Sequence, residues 1–546
     1  MFLGLLFLIA ISVWLVPMVE RARLPFLVLA VICIGTLFGP AFYSVDGPLL
    51  VSIDRVLFAV LCVVAFFSLR GATAGIPSLT KSDWLVGSYV IWVLLSTKFA
   101  EPPPNSSPLG TWLFYVLLPA LTYAIMRVAK LTELDLRRLE VVLLALGVYL
   151  GFTSVLESRG WYALVFPKYI ASAEHWEFFG RGRGPLLNPS ANGIVMTISL
   201  AVAALRFLRA GRGGKVGYGI AVLLMLAGLY CTLTRSVWIG AGLALAIVYW
   251  QVTPRWFKVL SFSAVLLVGG LAAAGFKDQL LRMKRDKNLS AAEAEKSVQL
   301  RPLLAIVAYE MFKDAPLAGH GFGHYHTAAK PYYSIRGYGM PLETTRGYFQ
   351  HNVFLSIAVQ NGLVGLMMFM GMLGVWLSSA WRLAKNTNVD VMWRHMGLVV
   401  VASIGGYLVG GMFQDVTVMP MINMYLFFVA GLAVTMQQAV SSSASTVQSM
   451  PRQPAIPGRQ AIKKLQLVVK HFDPRHANAC GASGGDGGFE DGTQLHRPFC
   501  QVVQSHAAVV GDHFSRVIKR RFDCVSRKLS AKCRSGIVHF FHDQCR

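Results

Sequence analysis

Charge is scarce in this chain. Of its 546 residues only 14% are Asp, Glu, Lys or Arg, while 55% are hydrophobic and the mean hydropathy is +0.52. A soluble protein of this length needs far more charge to cover its surface, so a soluble globular fold is excluded. Acid is scarcer than base, 27 Asp+Glu against 51 Lys+Arg, a net charge of +24. In a soluble chain that balance suggests nucleic acid; here the basic residues sit mainly in loops and in the tail, so membrane orientation and anionic lipid explain them better. Cysteine is also sparse. Cys33, Cys62 and Cys231 lie in apolar runs and the other five lie beyond residue 479, so no disulfide framework is available. The ~10-residue alternation of a membrane β-barrel is missing. So is any internal repeat of the kind many transporters carry. The opening MFLGLLFLIAISVWLVPMV has no basic leader and no small-residue cleavage site, and reads as a first span rather than a removable signal peptide.

What the chain has is long apolar runs. Stretches of ~18 residues or more recur over the first 440 positions and predict an all-α membrane protein. Spans are expected near 3–19, 24–41, 48–70, 83–98, 110–128, 138–156, 186–208, 216–232, 236–252, 256–275, 351–381, 396–414 and 419–438. That is a polytopic bundle of about 12–13 transmembrane helices, with a large outside loop, 276–350, between late spans. Residues 1–440 form the transmembrane domain. From 441 the composition changes to Ser, Pro, Gly and basic residues, 16 Lys+Arg against 7 Asp+Glu, which predicts a disordered cytoplasmic tail. Cys524, Cys533 and Cys545 near His539 and His542 lack any close CxxC pair, so no zinc site is expected there.

The loops set the orientation. Alternate connections carry Arg21 and Arg23, Arg70 and Lys81, Arg127 to Arg138, Arg206 to Lys215, Arg255 and Lys258, and Arg382 to Arg394, and read as cytoplasmic. The connections at 42–47, 99–109 and 415–418 carry no basic residue. Three outside connections break the rule. They hold Arg159, Lys168, Arg181 and Arg183, then Arg235, then the long loop with 11 Lys+Arg against 7 Asp+Glu. Basic residues on the side that should lack them point to an anionic ligand.

Arg235, in CTLTRSVWIGAG, stands between two apolar runs with almost no loop around it. An arginine so near hydrocarbon is costly unless it faces a wet cavity, and its guanidinium can clamp a phosphate oxygen. Arg301 precedes a segment in which Leu300, Leu303, Leu304, Val307 and Met311 recur at helical spacing. Pro302 suits a first helical turn, so a helix is expected to start there, its free N–H groups adding to the anion site, and to run until Gly319, Gly321 and Gly323. Arg181 and Arg183, in FFGRGRGPLLNPSANG, lie among glycines that let backbone approach a ligand closely. His351 is a candidate general base, with an ordinary pKa near ~6.5. Asp415, the one acid between two late spans, is a candidate to orient His351 or a basic partner. His320, His324 and His326 are dense, but their spacing fits no standard metal site.

In order, GRGPLLNPSANG, TLTRSVWIG, the Arg301 segment ending MFKDAPLAGHGFGHY, and HNVFLSIAVQNGLVGL resemble the O-antigen ligase and polymerase superfamily of bacterial membrane glycosyltransferases. The resemblance covers about 180–440 and departs from the family at Pro302. It implies an inner-membrane, multi-pass enzyme whose active site faces the periplasm. It implies transfer of a glycan from an undecaprenyl-diphosphate carrier to a hydroxyl on lipid A core, glycan or protein. Arg235 and Arg301 would hold the diphosphate, with Arg181 and Arg183 assisting, and His351 would be the base with Asp415 beside it. No cofactor and no metal are expected, since no DxD-like pair occurs in the outside loops. The same superfamily contains polymerases and protein O-oligosaccharyltransferases. A lipid-linked sugar flippase would share the cavity arginines but need no titratable base.

Overall fold

The computed structural model describes residues 23–45, 51–70, 77–101, 107–175, 177–250, 253–260, 263, 267, 270 and 291–449. The expected span at 3–19, most of that at 256–275 and the tail from 450 lie outside the described residues.

The apolar runs form helices: α1 (Leu24–Leu37), α2 (Ile53–Arg70), α3 (Lys81–Ser96), α4 (Pro108–Val128), α5 (Glu133–Arg159), α6 (Pro189–Arg209), α7 (Arg212–Cys231) and α8 (Arg235–Trp250). After them come α9 (Ala291–Asp314), α10 (Val353–Lys385), α11 (Val391–Phe413) and α12 (Pro420–Ser449). Among the described residues seven of these, α4 to α7 and α10 to α12, are long and apolar enough to cross a membrane, and α1 and α8 are shorter apolar helices. A two-residue ladder joins Ser44–Val45 to Val51–Ser52. Large apolar side chains such as Phe67, Ile220, Leu223 and Met367 stand more than half exposed along α2, α7 and α10, as a lipid-facing surface requires.

Element edges follow capping chemistry rather than hydropathy. The expected span 138–156 becomes α5, Glu133–Arg159, because Thr132 and Asp135 close a capping box one turn before the apolar run begins. Asp135 accepts from the Thr132 N–H at 2.8 Å, and Gly160, at φ 75°, ends the helix.

The buried centre is α6, almost wholly enclosed, which packs against α5, α7, α8 and α11. Around it α12 packs on α4, and α10 on α3 and α11. The helix ends sort into two sets. At one end the connections read as cytoplasmic are tied together: Arg127 Nε pairs with Asp83 at 2.8 Å, Arg23 with Asp135 at 3.0 Å, and Arg206 with Glu140. At the other end the remaining connections meet. Gly182 N–H donates to Cys231 O at 2.8 Å, Ser190 Oγ to Gln414 Oε1 at 2.9 Å, and Asn352 Nδ2 to Met412 O at 3.0 Å.

The long loop docks on this second end. Leu303, Leu304, Val307 and Met311 are buried, as their spacing predicts; all but Leu304 pack with Tyr325, Tyr333 and Leu342 in a small core that Val359 of α10 completes. One expectation is corrected. The helix does not start at Pro302; α9 begins at Ala291 and Pro302 lies inside it. Proline forfeits one hydrogen bond there but leaves the helix intact.

The loop is sewn to the bundle through main chain. The run expected as one span at 351–381 is interrupted at Gly362, whose φ of 66° and ψ of −170° break the helical ladder. The groups freed by the break meet the loop: His320 N–H donates to Val359 O and Gly321 N–H to Gln360 O, both at 2.9 Å, and Leu363 N–H donates to Pro316 O at 2.8 Å. An interrupted helix is tolerated inside a membrane protein only where protein re-satisfies its backbone groups, which this seam does. The approach demands glycine on both sides. A Cβ on Gly362 would lie 2.1 Å from Leu317 O, and one on Gly319 2.5 Å from Gln360 C.

Gly362→Ala therefore combines left-handed strain of about 1–3 kcal/mol with a backbone clash. We expect a lower thermal midpoint in detergent and proteolytic release of the loop. An unchanged midpoint with an uncut loop would show that the seam is not needed.

Candidate functional site

A cavity of about 920 Å³ opens at the end of the bundle where the loop docks. Arg235, Arg301 and His351 all line it, as do Arg55, Arg181 and Tyr348. Three separately expected residues, spread over more than a hundred positions of sequence, thus converge on one hollow.

Arg235 is set by a tight turn. α7 ends at Cys231, Leu233 adopts φ 50°, and α8 starts at Arg235 itself. A leucine in the left-handed region costs about 1–2 kcal/mol, so something must hold it. Arg181 does. Its Nε and Nη2 donate to Thr232 O at 3.0 and 2.9 Å, and Nη2 also reaches Thr234 Oγ1 at 2.8 Å. The glycine-rich segment expected to embrace a ligand thus braces the turn that presents Arg235.

Arg301 faces the cavity from the side of α9, its guanidinium 5.9 Å from the centre of the Phe413 ring. It lies one residue before Pro302 and well inside the helix, so the expected contribution of free N-terminal N–H groups is absent and the side chain alone supplies the charge. Burial lowers its pKa from the ordinary value, and the neighbouring Arg235 lowers it further. Among the described residues no carboxylate pairs with Arg301. Two like charges held close with one of them half-buried are unfavourable unless an anion joins them.

His351 immediately precedes α10. Asn352 caps that helix, its Oδ1 accepting from Phe354 N–H at 2.8 Å and Leu355 N–H at 3.1 Å, while its amide holds Met412 O on α11. The cap fixes the backbone from which the imidazole projects into the cavity.

The other expected residues lie elsewhere. Arg183 does not line the cavity; it is 1% exposed, 3.4 Å from Glu157, and donates to the carbonyls of Ile170, His175 and Glu177. Asp415 is buried outside the cavity lining and accepts from the Thr417 N–H at 3.1 Å and from its hydroxyl. His320 and His324 are held by main-chain carbonyls, Met311 O within the loop at 2.8 Å and Thr97 O at the end of α3 at 3.0 Å. Among the described residues no three His, Cys, Asp or Glu side chains come together as a metal site.

Sequence reasoning missed Asp54 and Arg55, which it had absorbed into the span at 48–70. They stand in the first turn of α2 and line the cavity. The available signal was an acid–base pair inside an otherwise apolar run.

Residues 220–370 match the family model described as O-Antigen ligase. The match includes Arg235, Arg301, His351 and the seam, and stops short of Asp54, Arg55, Arg181, Arg183 and Asp415. No curated protein matches the chain.

Two outcomes follow. Arg183→Ala leaves three buried carbonyls without their donor and Glu157 with only the Gly184 N–H, a loss of about 1–3 kcal/mol for each group left unpaired, and should lower the thermal midpoint before any effect on ligand binding; an unshifted midpoint would return Arg183 to a ligand role. Burial pushes the Asp415 carboxyl up to about 6, against the pull of its bonds from Thr417. The folded protein then keeps a proton that the unfolded chain has released, so stability is fully present below pH ~4 and falls as pH rises through ~6. Asp415→Asn should flatten that slope, read as thermal midpoint against pH; a parallel slope in the variant would contradict the assignment.

Proposed function

Because the chain contains an O-antigen ligase family domain, we propose that it transfers a glycan from an undecaprenyl-diphosphate carrier to an acceptor hydroxyl. One observation carries the reading: Arg235, Arg301 and His351 line a single cavity. The donor has a lipid tail, which suits a site at the end of an apolar bundle. Its leaving group is a diphosphate, whose growing negative charge calls for fixed cations.

The chemistry divides among the three side chains. The imidazole of His351 takes the proton of the acceptor hydroxyl. The acceptor oxygen forms a bond to the anomeric carbon from the face opposite the diphosphate. The bond from that carbon to the phosphate oxygen breaks, its electron pair leaves with the lipid diphosphate, and Arg235 and Arg301 hold the departing charge. Arg181 acts through the turn beneath Arg235. Asp415, buried outside the cavity, supports the connection between α11 and α12 rather than touching substrate. With two guanidinium groups on the leaving group the transfer is read as metal-independent. Direct displacement inverts the anomeric carbon.

The basic connections gathered at the opposite end of the bundle support a cytoplasmic assignment for that end, and with it the reading of a cavity that faces the periplasm from a bacterial inner membrane. Surface glycoconjugates of a deletion strain distinguish lipid A core, a growing glycan and a protein as the acceptor: unligated polymer, short polymer or bare protein.

The test is transfer in detergent from a lipid-linked glycan. His351→Ala should reduce turnover by roughly 10²–10⁴-fold while donor binding persists. Arg301→Ala should weaken donor binding itself. Full turnover in His351→Ala would remove the general base and favour a flippase, which needs none. Retention of anomeric configuration in the NMR spectrum of the product would exclude single displacement.

A further inference from the structure

The cavity has two differently charged walls. Arg235 and Arg301 come from α8 and α9, which pack on α6, α10 and α11. Asp54 and Arg55 come from α2, which packs on α1 and α4. The electrostatic neighbour of Arg301 is Arg235, whereas those of Arg55 are Asp54 and Tyr115. One wall therefore carries two positive charges together, and the other a carboxylate beside a guanidinium.

The second wall is built, not incidental. Gly35 lets α2 approach α1 so closely that a Cβ there would lie 2.9 Å from Asp54 Cβ and 2.8 Å from Met421 Cε. Ser52 donates to Asp54 Oδ1. The Arg55 guanidinium lies 3.5 Å from the centre of the Phe114 ring. That contact fixes the guanidinium where it lines the cavity.

We propose that Asp54 and Arg55 form a glycan-recognition subsite that reads hydroxyl groups of the lipid-linked sugar. The inference rests on the glycan-transfer reading above and deepens it. A diphosphate favours the doubly positive wall and is repelled by Asp54. A sugar hydroxyl is both donor and acceptor, so a carboxylate beside a guanidinium satisfies it in both directions. At about 920 Å³ the cavity is far larger than a diphosphate and leaves room for sugar against the α2 residues. The subsite sets which glycan is accepted and takes no part in bond making.

The experiment compares two ligands on the full chain in detergent: undecaprenyl diphosphate, and the lipid-linked glycan purified from the cells that encode the protein. The wild type should bind the second more tightly. Asp54→Asn and Arg55→Gln should each weaken glycan-bearing donor by about 10–100-fold, the loss of a charge-assisted hydrogen bond, and leave undecaprenyl diphosphate within about twofold. If Arg55→Gln yields no folded protein, Arg55→Lys keeps the charge but not the fork, and the same split between ligands is required of it. Equal weakening of both ligands would place Arg55 in the diphosphate clamp and overturn the subsite. No change for either, or a wild type indifferent to the sugar, would overturn it too. Binding is read without turnover, so a failure of glycan transfer itself would show separately.

Discussion

The structure depends on one contact between two stretches of main chain. α10 is interrupted at Gly362, and the backbone groups it releases are taken by residues 316–321. Neither partner is complete alone. The broken helix needs the loop's N–H groups and carbonyls, and the loop, whose own core is small, needs a rigid edge to lie on. Through this seam α9 is fixed against α10, and with it Arg301 is brought to the same hollow as His351. Unsatisfied amides inside a bundle cost several kcal/mol each, so the seam is held by the penalty of opening it.

The charge arrangement follows from the same geometry. Arg235 is presented by a turn that is strained at Leu233 and braced by Arg181; Arg301 is presented by a helix docked from outside. Among the described residues no ion pair joins an acid to Arg301. Arg301 is thus held partly buried with the charge of Arg235 acting on it, and both lower its pKa. By contrast Arg183, two residues from Arg181, is satisfied by a carboxylate and three carbonyls. Adjacent arginines in one motif therefore do unlike work.

Much of this was legible beforehand. The apolar runs gave the helices, because length and hydropathy are what a bilayer imposes. Arg235 and His351 stood out because each sits at the edge of an apolar run, where charge is costly and needs a reason. The buried face of α9 followed from the spacing of Leu303, Val307 and Met311. What stayed hidden depended on contacts remote in sequence. Pro302 looked like a helix start because local rules favour it there, yet the packing of α9 overrides them. Gly362 looked like an ordinary residue of a span, since nothing nearby announces that a loop some 40 positions earlier will occupy its carbonyls. Asp54 and Arg55 were concealed by their apolar surroundings, and Arg183 by its resemblance to Arg181.

A joint made of peptide groups does not ask which side chains surround it, provided its few glycines remain. The seam's bonds run between 316–321 and 359–364, so the outward surface of residues 325–349 can change without touching the joint. What the loop displays and what holds it in place are thus carried by different atoms.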